Sequence, residues 1–296
     1  MIFGPTAVGK TALSLQLASA LRTEIVNVDS RQIYRDIPIG TAAPTREEMQ
    51  RVKHHFVGIL PLEEYYSAAR FEKEALEVLQ TCFATHDTVI ASGGSMLYLD
   101  ALCKGIDDIP NVEDDVRQHL RKRYESEGLT PLLDELRLLD PEYYDACDKR
   151  NHKRVVHALE ICYQTGRPFS SFHRHTATER PFRILKIGLR RERQELFDRI
   201  NRRTDIMMRE GWEQEARNVY PLRHLNSLNT VGYKELFNYF DGTWTLDFAL
   251  EKIRRNTRVY AKKQMTWFAH DDGITWFHPD QSEEIATYLK TQGIEI

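Results

Sequence analysis

The chain has 296 residues, a formal net charge of −3 at pH 7, and 41% hydrophobic and 29% charged residues. This composition is that of an ordinary globular protein with a packed core, and no apolar run approaches the ~20 residues of a membrane-spanning helix. Because no basic and then apolar leader precedes the first motif, we expect a cytoplasmic protein without a membrane partner.

The first predicted element is a glycine-rich loop between a short strand and a helix. Gly4, Gly9, Lys10 and Thr11 fit the pattern G-x-x-x-x-G-K-[ST], in which backbone N–H groups surround phosphate oxygens while the lysine and hydroxyl reach the terminal phosphate and Mg²⁺. An apolar stub, residues 1–3, precedes the motif, and leucines four apart follow it, as this context requires. The pattern predicts a phosphate-binding loop, without saying which phosphate compound it holds.

The second strand leads into a carboxylate. The run Glu24 to Val28 predicts a strand, and Asp29 and Ser30 follow at its carboxyl end, the edge where open α/β sheets bind ligands. A carboxylate at this position can accept a proton from an incoming nucleophile. It can equally well cap the segment that follows.

Two further strands complete the predicted core. The run Thr88 to Ala91 leads into Ser92-Gly93-Gly94-Ser95, where motor and switch NTPases place a metal-binding Asp. This disfavours an ATPase and leaves kinases open. With Ile184 to Leu189, the strands alternate with helical stretches, which predicts a P-loop NTPase-like parallel sheet covered by helices, an α/β fold.

The middle of the chain predicts helices without a convincing strand. They span Glu113 to Ser126, Thr130 to Leu139, Pro141 to Asp148 and Lys153 to Gln164, and Gly166 and Pro168 are stop signals. We therefore expect an all-helical insertion domain over 111–180, within a core formed by 1–110 and 181–296.

The last long helix is predicted over Leu246 to Phe268, with its apolar and basic residues on opposite faces. Gln264 falls on the apolar face, where an amide needs a partner. We expect it to make a structural hydrogen bond to a loop.

Cysteine and histidine spacing gives no metal signature. The cysteines Cys82, Cys103, Cys147 and Cys162 contain no C-x-x-C pair, which disfavours a zinc site and a disulfide framework. His54 and His55 are adjacent on a predicted strand, point to opposite faces and cannot easily share an ion.

Several strings together resemble one family, the bacterial tRNA dimethylallyltransferases, also called tRNA isopentenyltransferases. The matching strings, in order from Gly4 to Phe268, are GPTAVGKT, DSRQIYRDIPIGTAAP, HHFVGILPLEEYYSAARF, GGSMLYL, RPF, RQELFDRINRRTDIM, VGYKE and TRVYAKKQMTWF. The chain departs from the common family pattern at Ser95, Ala43, Gly58 and His157. Loss of a usual lysine and arginine at Ala43 and His157 affects the expected RNA affinity more than the reaction.

The resemblance implies transfer of a dimethylallyl group from dimethylallyl diphosphate to the exocyclic amine of the adenosine 3′ of the anticodon in tRNA, with Mg²⁺ as cofactor. Independently of the resemblance, we expect a monomer. It implies catalytic roles for Asp29, Thr6 and Arg203, with Asp29 as the base. It implies Mg²⁺ at Thr11 and diphosphate binding by Gly4, Pro5, Thr6, Ala7, Val8, Gly9, Lys10, Thr11 and Arg199. It implies contacts with the tRNA anticodon stem-loop at Asp29, Ser30, Arg31, Gln32, Ser95, Arg117, Lys153, Arg154, Val155, Val156 and His157.

For part of this RNA surface the residues also allow simpler roles. Arg117 follows an acidic run and could pair with it, and Val155 and Val156 could belong to the core of the insertion. Two other functions stay open for the whole chain. A nucleotide or nucleoside kinase would use the same loop with an arginine-rich lid at 190–203, and a non-catalytic RNA-binding nucleotide switch would need only the loop and a basic surface.

Overall fold

The computed structural model describes residues 1–107, 109–173 and 178–296. Asp108 and residues 174–177, which fall within the predicted core and insertion, lie outside the described residues. The chain divides into two compact units. We call Met1–Cys103 with Arg180–Ile296 the core unit, and Lys104–Glu179 the helical unit.

The core unit contains a six-stranded sheet in which every pair of neighbouring strands is parallel. The strand order is β3-β2-β4-β1-β5-β6. The central strands β2 and β4 are buried along their whole length, as expected for a parallel sheet with helices on both faces. The predicted α/β class is therefore confirmed. The strands are β1 (Ile2–Phe3), β2 (Ile25–Val28), β3 (His54–His55), β4 (Ile90–Gly93), β5 (Lys186–Leu189) and β6 (Ile274–Phe277).

Helices follow most strands of the core unit. In the helical unit, all secondary structure of the described residues is helical. The helices of the first segment are α1 (Lys10–Ala20), α2 (Arg46–Arg51), α3 (Ala68–Phe83) and α4 (Met96–Lys104). Those that follow are α5 (Asp114–Glu127), α6 (Leu129–Leu139), α7 (Pro141–Ala146) and α8 (His152–Thr165). The last are α9 (Arg193–Arg209), α10 (Trp212–Val219), α11 (Tyr233–Phe240), α12 (Leu246–Phe268) and α13 (Ser282–Thr291).

The sheet order places three connections at one edge. Strands β2, β4 and β1 are neighbours, and all run in the same direction, so the segments after Val28, Gly93 and Phe3 emerge together. Gly93 is needed for this close approach, because a Cβ there would lie 1.9 Å from the Val28 carbonyl oxygen. The predicted phosphate-binding loop (residues 4–11), called the phosphate loop below, and Asp29 therefore share the edge where ligands bind in such sheets.

Each unit has its own apolar core. Around the sheet, Val8, Leu15 and Leu17 pack with Ile187, Leu189 and Ile200. In the helical unit, Leu120, Leu132, Leu136 and Leu159 are fully buried, and they lie in one cluster with Val155. Helices α5, α6 and α8 supply these buried residues, and Tyr143 and Tyr144 of α7 are partly buried against them.

The structure differs from the sequence prediction at two strands. The strand expected at Thr88 to Ala91 lies at Ile90–Gly93, because Ser92 and Gly93 continue the pairing with Asn27 and Val28. Strand β6 was not predicted, since four residues between polar loops carry little periodicity. Among the described residues, no helix combines the length and apolar character that a membrane crossing requires.

Candidate active site

The phosphate loop connects β1 to α1 in a backbone conformation that requires glycine at its start. Gly4 has φ +148°, and a Cβ there would lie 2.8 Å from the Leu189 carbonyl oxygen. Ala7, at the centre of the loop, has φ +65°, a region that non-glycine residues rarely occupy. Strained backbone of this kind persists only where surrounding contacts hold it.

Three side chains distant in sequence supply these contacts. Each forms a hydrogen bond with the backbone of one of three consecutive loop residues. One side chain lies just before α9, one within α9 and one on α12, so the loop is held by residues distant from it in sequence. The hydrogen bonds are Thr6 N to Gln264 Oε1 at 2.9 Å, Arg199 Nε to Ala7 O at 2.9 Å, and Arg191 Nε to Val8 O at 2.8 Å.

Gln264 joins the phosphate loop to the end of β4. Its side chain is 2% exposed, and its Nε2 donates to the Gly94 carbonyl oxygen at 2.7 Å while Oε1 accepts from Thr6. The predicted structural hydrogen bond of Gln264 to a loop is confirmed. Both polar atoms of this buried amide are satisfied.

Two cations are desolvated beside the loop. Lys10 Nζ donates to the Gly4 and Pro5 carbonyl oxygens at 2.9 and 2.8 Å, and Arg203 Nη2 donates to the Thr6 hydroxyl at 2.6 Å. Burial lowers the pKa of Lys10 to about 8 and that of Arg203 to about 10, although Asp29 acts in the opposite direction on both. A bound anion would offset this desolvation, so the site favours a phosphate ligand.

Asp29 follows β2 and uses one carboxylate oxygen to shape the chain after it. Oδ1 accepts from the backbone N–H groups of Arg31 at 2.9 Å and Gln32 at 3.3 Å. Among the described residues, none donates a hydrogen bond to Oδ2. The capping role weighed from the sequence is therefore present, and the second oxygen is available to a ligand.

A cavity of about 310 Å³ brings together residues from most of the predicted motifs. Ser95 holds its edge, because its Oγ accepts from Ser30 N at 2.8 Å and donates to Ser30 Oγ at 3.1 Å. The ionisable side chains along its wall, tyrosine aside, are three cations and one carboxylate, all within the described residues. The predicted site residues that line it are Thr6, Asp29, Ser30, Arg31, Ser95 and Arg203.

Gln32 is expected to contact tRNA together with Asp29, Ser30 and Arg31, but unlike these three residues it lies outside this cavity. Its Nε2 donates to the Thr41 and Ala42 carbonyl oxygens at 3.0 and 2.9 Å. It lines a neighbouring cavity of about 610 Å³. Arg203 and Met207 border both cavities, so α9 forms the wall between them.

The sequence analysis missed a buried carboxylate that shapes the cavity. Glu215 accepts hydrogen bonds from the backbone N–H groups of Ile39 and Gly40, each at 2.8 Å, and from the Tyr233 hydroxyl at 2.5 Å. Burial raises its pKa, while these hydrogen bonds act against that rise. Gly40 is required here, because a Cβ would lie 2.1 Å from the Trp212 ring nitrogen. The sequence feature that could have pointed to this group is the string VGYKE, which contains the hydrogen-bond partner Tyr233.

The helical unit exposes some of the residues predicted to bind tRNA and buries others. Lys153, Arg154 and His157 are exposed on α8. Val155 is 0% exposed within the apolar cluster of this unit, so the packing alternative holds and its side chain is not accessible to a ligand. Val156 is partly buried and packs against the same cluster. Arg117 on α5 is half-buried.

Comparisons with known proteins decide between the interpretations that the loop leaves open. The sequence model of the IPP transferase family matches residues 32–271, which is most of the chain. This protein belongs to the IPP transferase family. The prediction of the tRNA dimethylallyltransferase family is confirmed, and the kinase and switch alternatives lose their basis.

Other members of the family are similar to this protein over nearly the full length of both chains. A "tRNA dimethylallyltransferase 1" of Phocaeicola vulgatus is 61% identical, with 98% of this chain and 96% of the relative covered. A "tRNA dimethylallyltransferase 2" of Parabacteroides distasonis is 59% identical over 99% of this chain and 98% of the relative. A solved tRNA isopentenylpyrophosphate transferase of Bacillus halodurans has a TM-score of 0.71 at 36% identity, covering 98% of this chain and 95% of that one.

A solved eukaryotic dimethylallyltransferase acting on tRNA is similar at 25% identity, with a TM-score of 0.82. The match covers 100% of this chain and 79% of that one. The likeness extends through both units described above.

Proposed function

We propose that this protein transfers a dimethylallyl group from dimethylallyl diphosphate to the exocyclic amine of the adenosine 3′ of the anticodon in tRNA and releases diphosphate. The observation that carries the proposal is the meeting of the partly buried Lys10 and Arg203 with Asp29 beside one phosphate loop. The two cations can bind the negative charge of a diphosphate, and the carboxylate of Asp29 can accept a proton.

In this reaction the bond between the allylic carbon and the diphosphate oxygen breaks, and its electron pair leaves with diphosphate. The backbone N–H groups of the loop, Lys10 and Arg203 stabilise the negative charge that develops on the leaving group. The Thr6 hydroxyl, held by Arg203, adds a neutral donor. Arg199 fixes the loop through Ala7 and contributes positive charge nearby.

The new bond forms between the allylic carbon and the adenine amine. This amine is a poor nucleophile because its lone pair is delocalised into the ring, and it becomes more acidic as the bond forms. Asp29 accepts the released proton on Oδ2, which has no donor among the described residues, while Oδ1 keeps its hydrogen bonds to the backbone. General bases of this kind typically contribute about 10²- to 10⁴-fold in rate.

Mg²⁺ fits the residues at the start of α1. Thr11 is exposed in the first helical turn, directly after Lys10, and its hydroxyl oxygen is a hard donor of the type that Mg²⁺ prefers. Thr11 would hold the ion together with the diphosphate oxygens. When bound, the ion supplies Lewis-acid stabilisation of the leaving group.

The target adenosine must leave the base stack of the anticodon loop and enter the site, because its amine cannot react while the base is stacked. The cavity lined by Asp29, Ser30, Arg31 and Ser95 receives the base in this proposal, and Lys153, Arg154 and His157 bind the RNA backbone. A tRNA substrate is consistent with action in the cytoplasm, which is the location we propose. We also propose that the enzyme acts as a monomer.

The deciding experiment is a single-turnover assay with unmodified tRNA, Mg²⁺ and labelled dimethylallyl diphosphate. Asp29→Asn retains an oxygen for the Arg31 and Gln32 N–H groups but is a poor base, so it separates capping from proton transfer. We expect transfer to slow by about 10²- to 10⁴-fold with unchanged donor affinity. Asp36→Asn, at an exposed position, is the matched control. Absence of transfer by the parent protein combined with ATP turnover would overturn the proposal.

A further inference from the structure

Three potential metal ligands meet at the amino-terminal end of β2, away from the phosphate loop. Glu24 precedes β2, His55 lies on β3 and Cys82 lies near the end of α3. Glu24 Oε2 is 2.6 Å from His55 Nε2 and 3.4 Å from Cys82 Sγ, and Sγ is 3.7 Å from Nε2. One ligand atom from each residue is therefore within reach of the same point.

We propose that Glu24, His55 and Cys82 bind a Zn²⁺ ion. Thiolate, imidazole and carboxylate are the three ligand types that zinc takes in proteins. A sulfur ligand disfavours Mg²⁺ and Ca²⁺, which prefer oxygen. The site is chemically separate from the proposed Mg²⁺ position at Thr11, where oxygen ligands dominate, and it does not rest on the proposed function.

The distances suit a tetrahedral ion with little rearrangement. Zinc–ligand bonds of about 2.0–2.3 Å place neighbouring ligand atoms about 3.4–3.6 Å apart in a tetrahedron. The separations from Cys82 Sγ, 3.4 Å to Glu24 Oε2 and 3.7 Å to His55 Nε2, lie in or within about 0.1 Å of this range. Only the Glu24–His55 pair, now joined by a hydrogen bond, has to open, by roughly 0.8 Å.

The protonation states identify what the ion would displace. Burial raises the pKa of Glu24, but hydrogen bonds from His55, Lys53 and Cys82 outweigh it and lower the pKa to about 2. Burial and the neighbouring Glu24 raise the pKa of Cys82 to about 11. Zinc would replace the thiol proton, which is released to solvent as the Zn–S bond forms, so binding should strengthen as pH rises.

The cluster is open enough for an ion to enter and keep a water ligand. Cys82 is buried, whereas the side chains of His55 and Glu24 are 18% and 23% exposed. Lys53 also binds Glu24, at 3.2 Å, but its side chain is 65% exposed and free to move into solvent. A bound ion would connect β2, β3 and α3 at the sheet edge opposite Asp29.

Sequence spacing could not reveal this site, because its ligands are about 30 residues apart and contain no C-x-x-C pair. Glu195, His278 and Asp280 also lie close together, but they offer no sulfur, and Arg191 already occupies both carboxylates. We therefore make no proposal for that second group and use it as a control.

The test is a titration of the untagged full chain with Co²⁺, a spectroscopic substitute for Zn²⁺, followed by displacement with Zn²⁺. Cobalt bound to a thiolate gives a charge-transfer absorption that oxygen and nitrogen ligands do not give. The variants are Cys82→Ser and His55→Gln. The matched controls are Cys162→Ser, which removes a buried thiol of the helical unit, and His278→Gln, which removes the imidazole of the second group.

We expect stoichiometric absorption in the parent and in both controls, and its loss in Cys82→Ser. His55→Gln should weaken binding by at least the roughly 10- to 100-fold that loss of an outer hydrogen-bond partner costs a metal site. His55→Gln decides the matter alone if Cys82→Ser does not fold by circular dichroism. No thiolate absorption in the parent, or absorption unchanged in His55→Gln, would overturn the proposal.

Discussion

Arg203 on α9 donates a hydrogen bond from Nη2 to the Thr6 hydroxyl across 2.6 Å, although the two residues are 197 positions apart. This contact links the strained phosphate loop to a helix that borders both cavities. It places a desolvated positive charge beside the loop before any ligand binds. Preorganised charge of this kind needs no rearrangement when the leaving group becomes negative.

Replacing Arg203 with Gln should slow transfer more than it weakens donor binding. The charge is worth most where negative charge develops, and loss of one such donor typically costs about 10²- to 10³-fold in rate. Single-turnover kinetics and donor affinity measure the two effects separately. Arg202→Gln changes an exposed neighbour on the same helix and should leave both near parent values. Equal losses in affinity and rate for Arg203→Gln would mean that the charge acts mainly in ground-state binding.

Donor affinity should fall as pH rises above about 8. Burial holds the pKa of Lys10 near 8 in the free protein, so its charge is lost through that range. A bound diphosphate favours the charged form, and binding therefore takes up a proton above this pH. We expect affinity to weaken by up to about tenfold per pH unit, measured by calorimetry in buffers of different ionisation enthalpy. Lys10→Arg should show a flat profile, and a flat profile in the parent would exclude this role.

Replacing Gln264 with Leu should destabilise the protein and loosen the phosphate loop. The change leaves the Thr6 N–H and the Gly94 carbonyl without their buried partner, and each unsatisfied group costs about 1–3 kcal/mol. Urea unfolding should show the loss, and donor affinity should fall with it. Gln214→Leu, at an exposed helical position, should change the unfolding free energy by less than about 0.5 kcal/mol. Similar values for the two variants would contradict the structural role.

Glu24 should contribute to stability at neutral pH and lose that contribution in acid. Its pKa is lowered to about 2 in the folded protein from 4.5, so its stabilisation is present above about pH 4.5 and disappears as pH falls towards 2. We expect Glu24→Gln to lower the metal-free unfolding free energy by about 1 kcal/mol at pH 7, after solvent screening. The gap to the parent should close in acid. Glu63→Gln, at an exposed position, is the control, and a gap constant with pH would count against the ion-pair cluster.

Local sequence was sufficient for the elements whose signal lies within one segment. The glycine–lysine loop, the helices of the insertion and the faces of α12 depend on spacing that a single helix or turn imposes, and the structure has helices and a loop at these places. The parallel sheet followed from the alternation of strands and helices. The strand at 88–91 was displaced because pairing with β2, a non-local effect, sets where β4 ends.

Which residues meet was decided only by tertiary structure. Gln32 and Asp29 are three positions apart, yet they line different cavities, because the turn between them sends the Gln32 amide to backbone carbonyls. The sequence did not identify Glu215 as a site residue, because its hydrogen-bond partners Ile39 and Gly40 are about 175 positions away in the chain. Sequence periodicity fixes which face of an element is apolar, but strand order and helix packing bring distant polar atoms within the short range of a hydrogen bond.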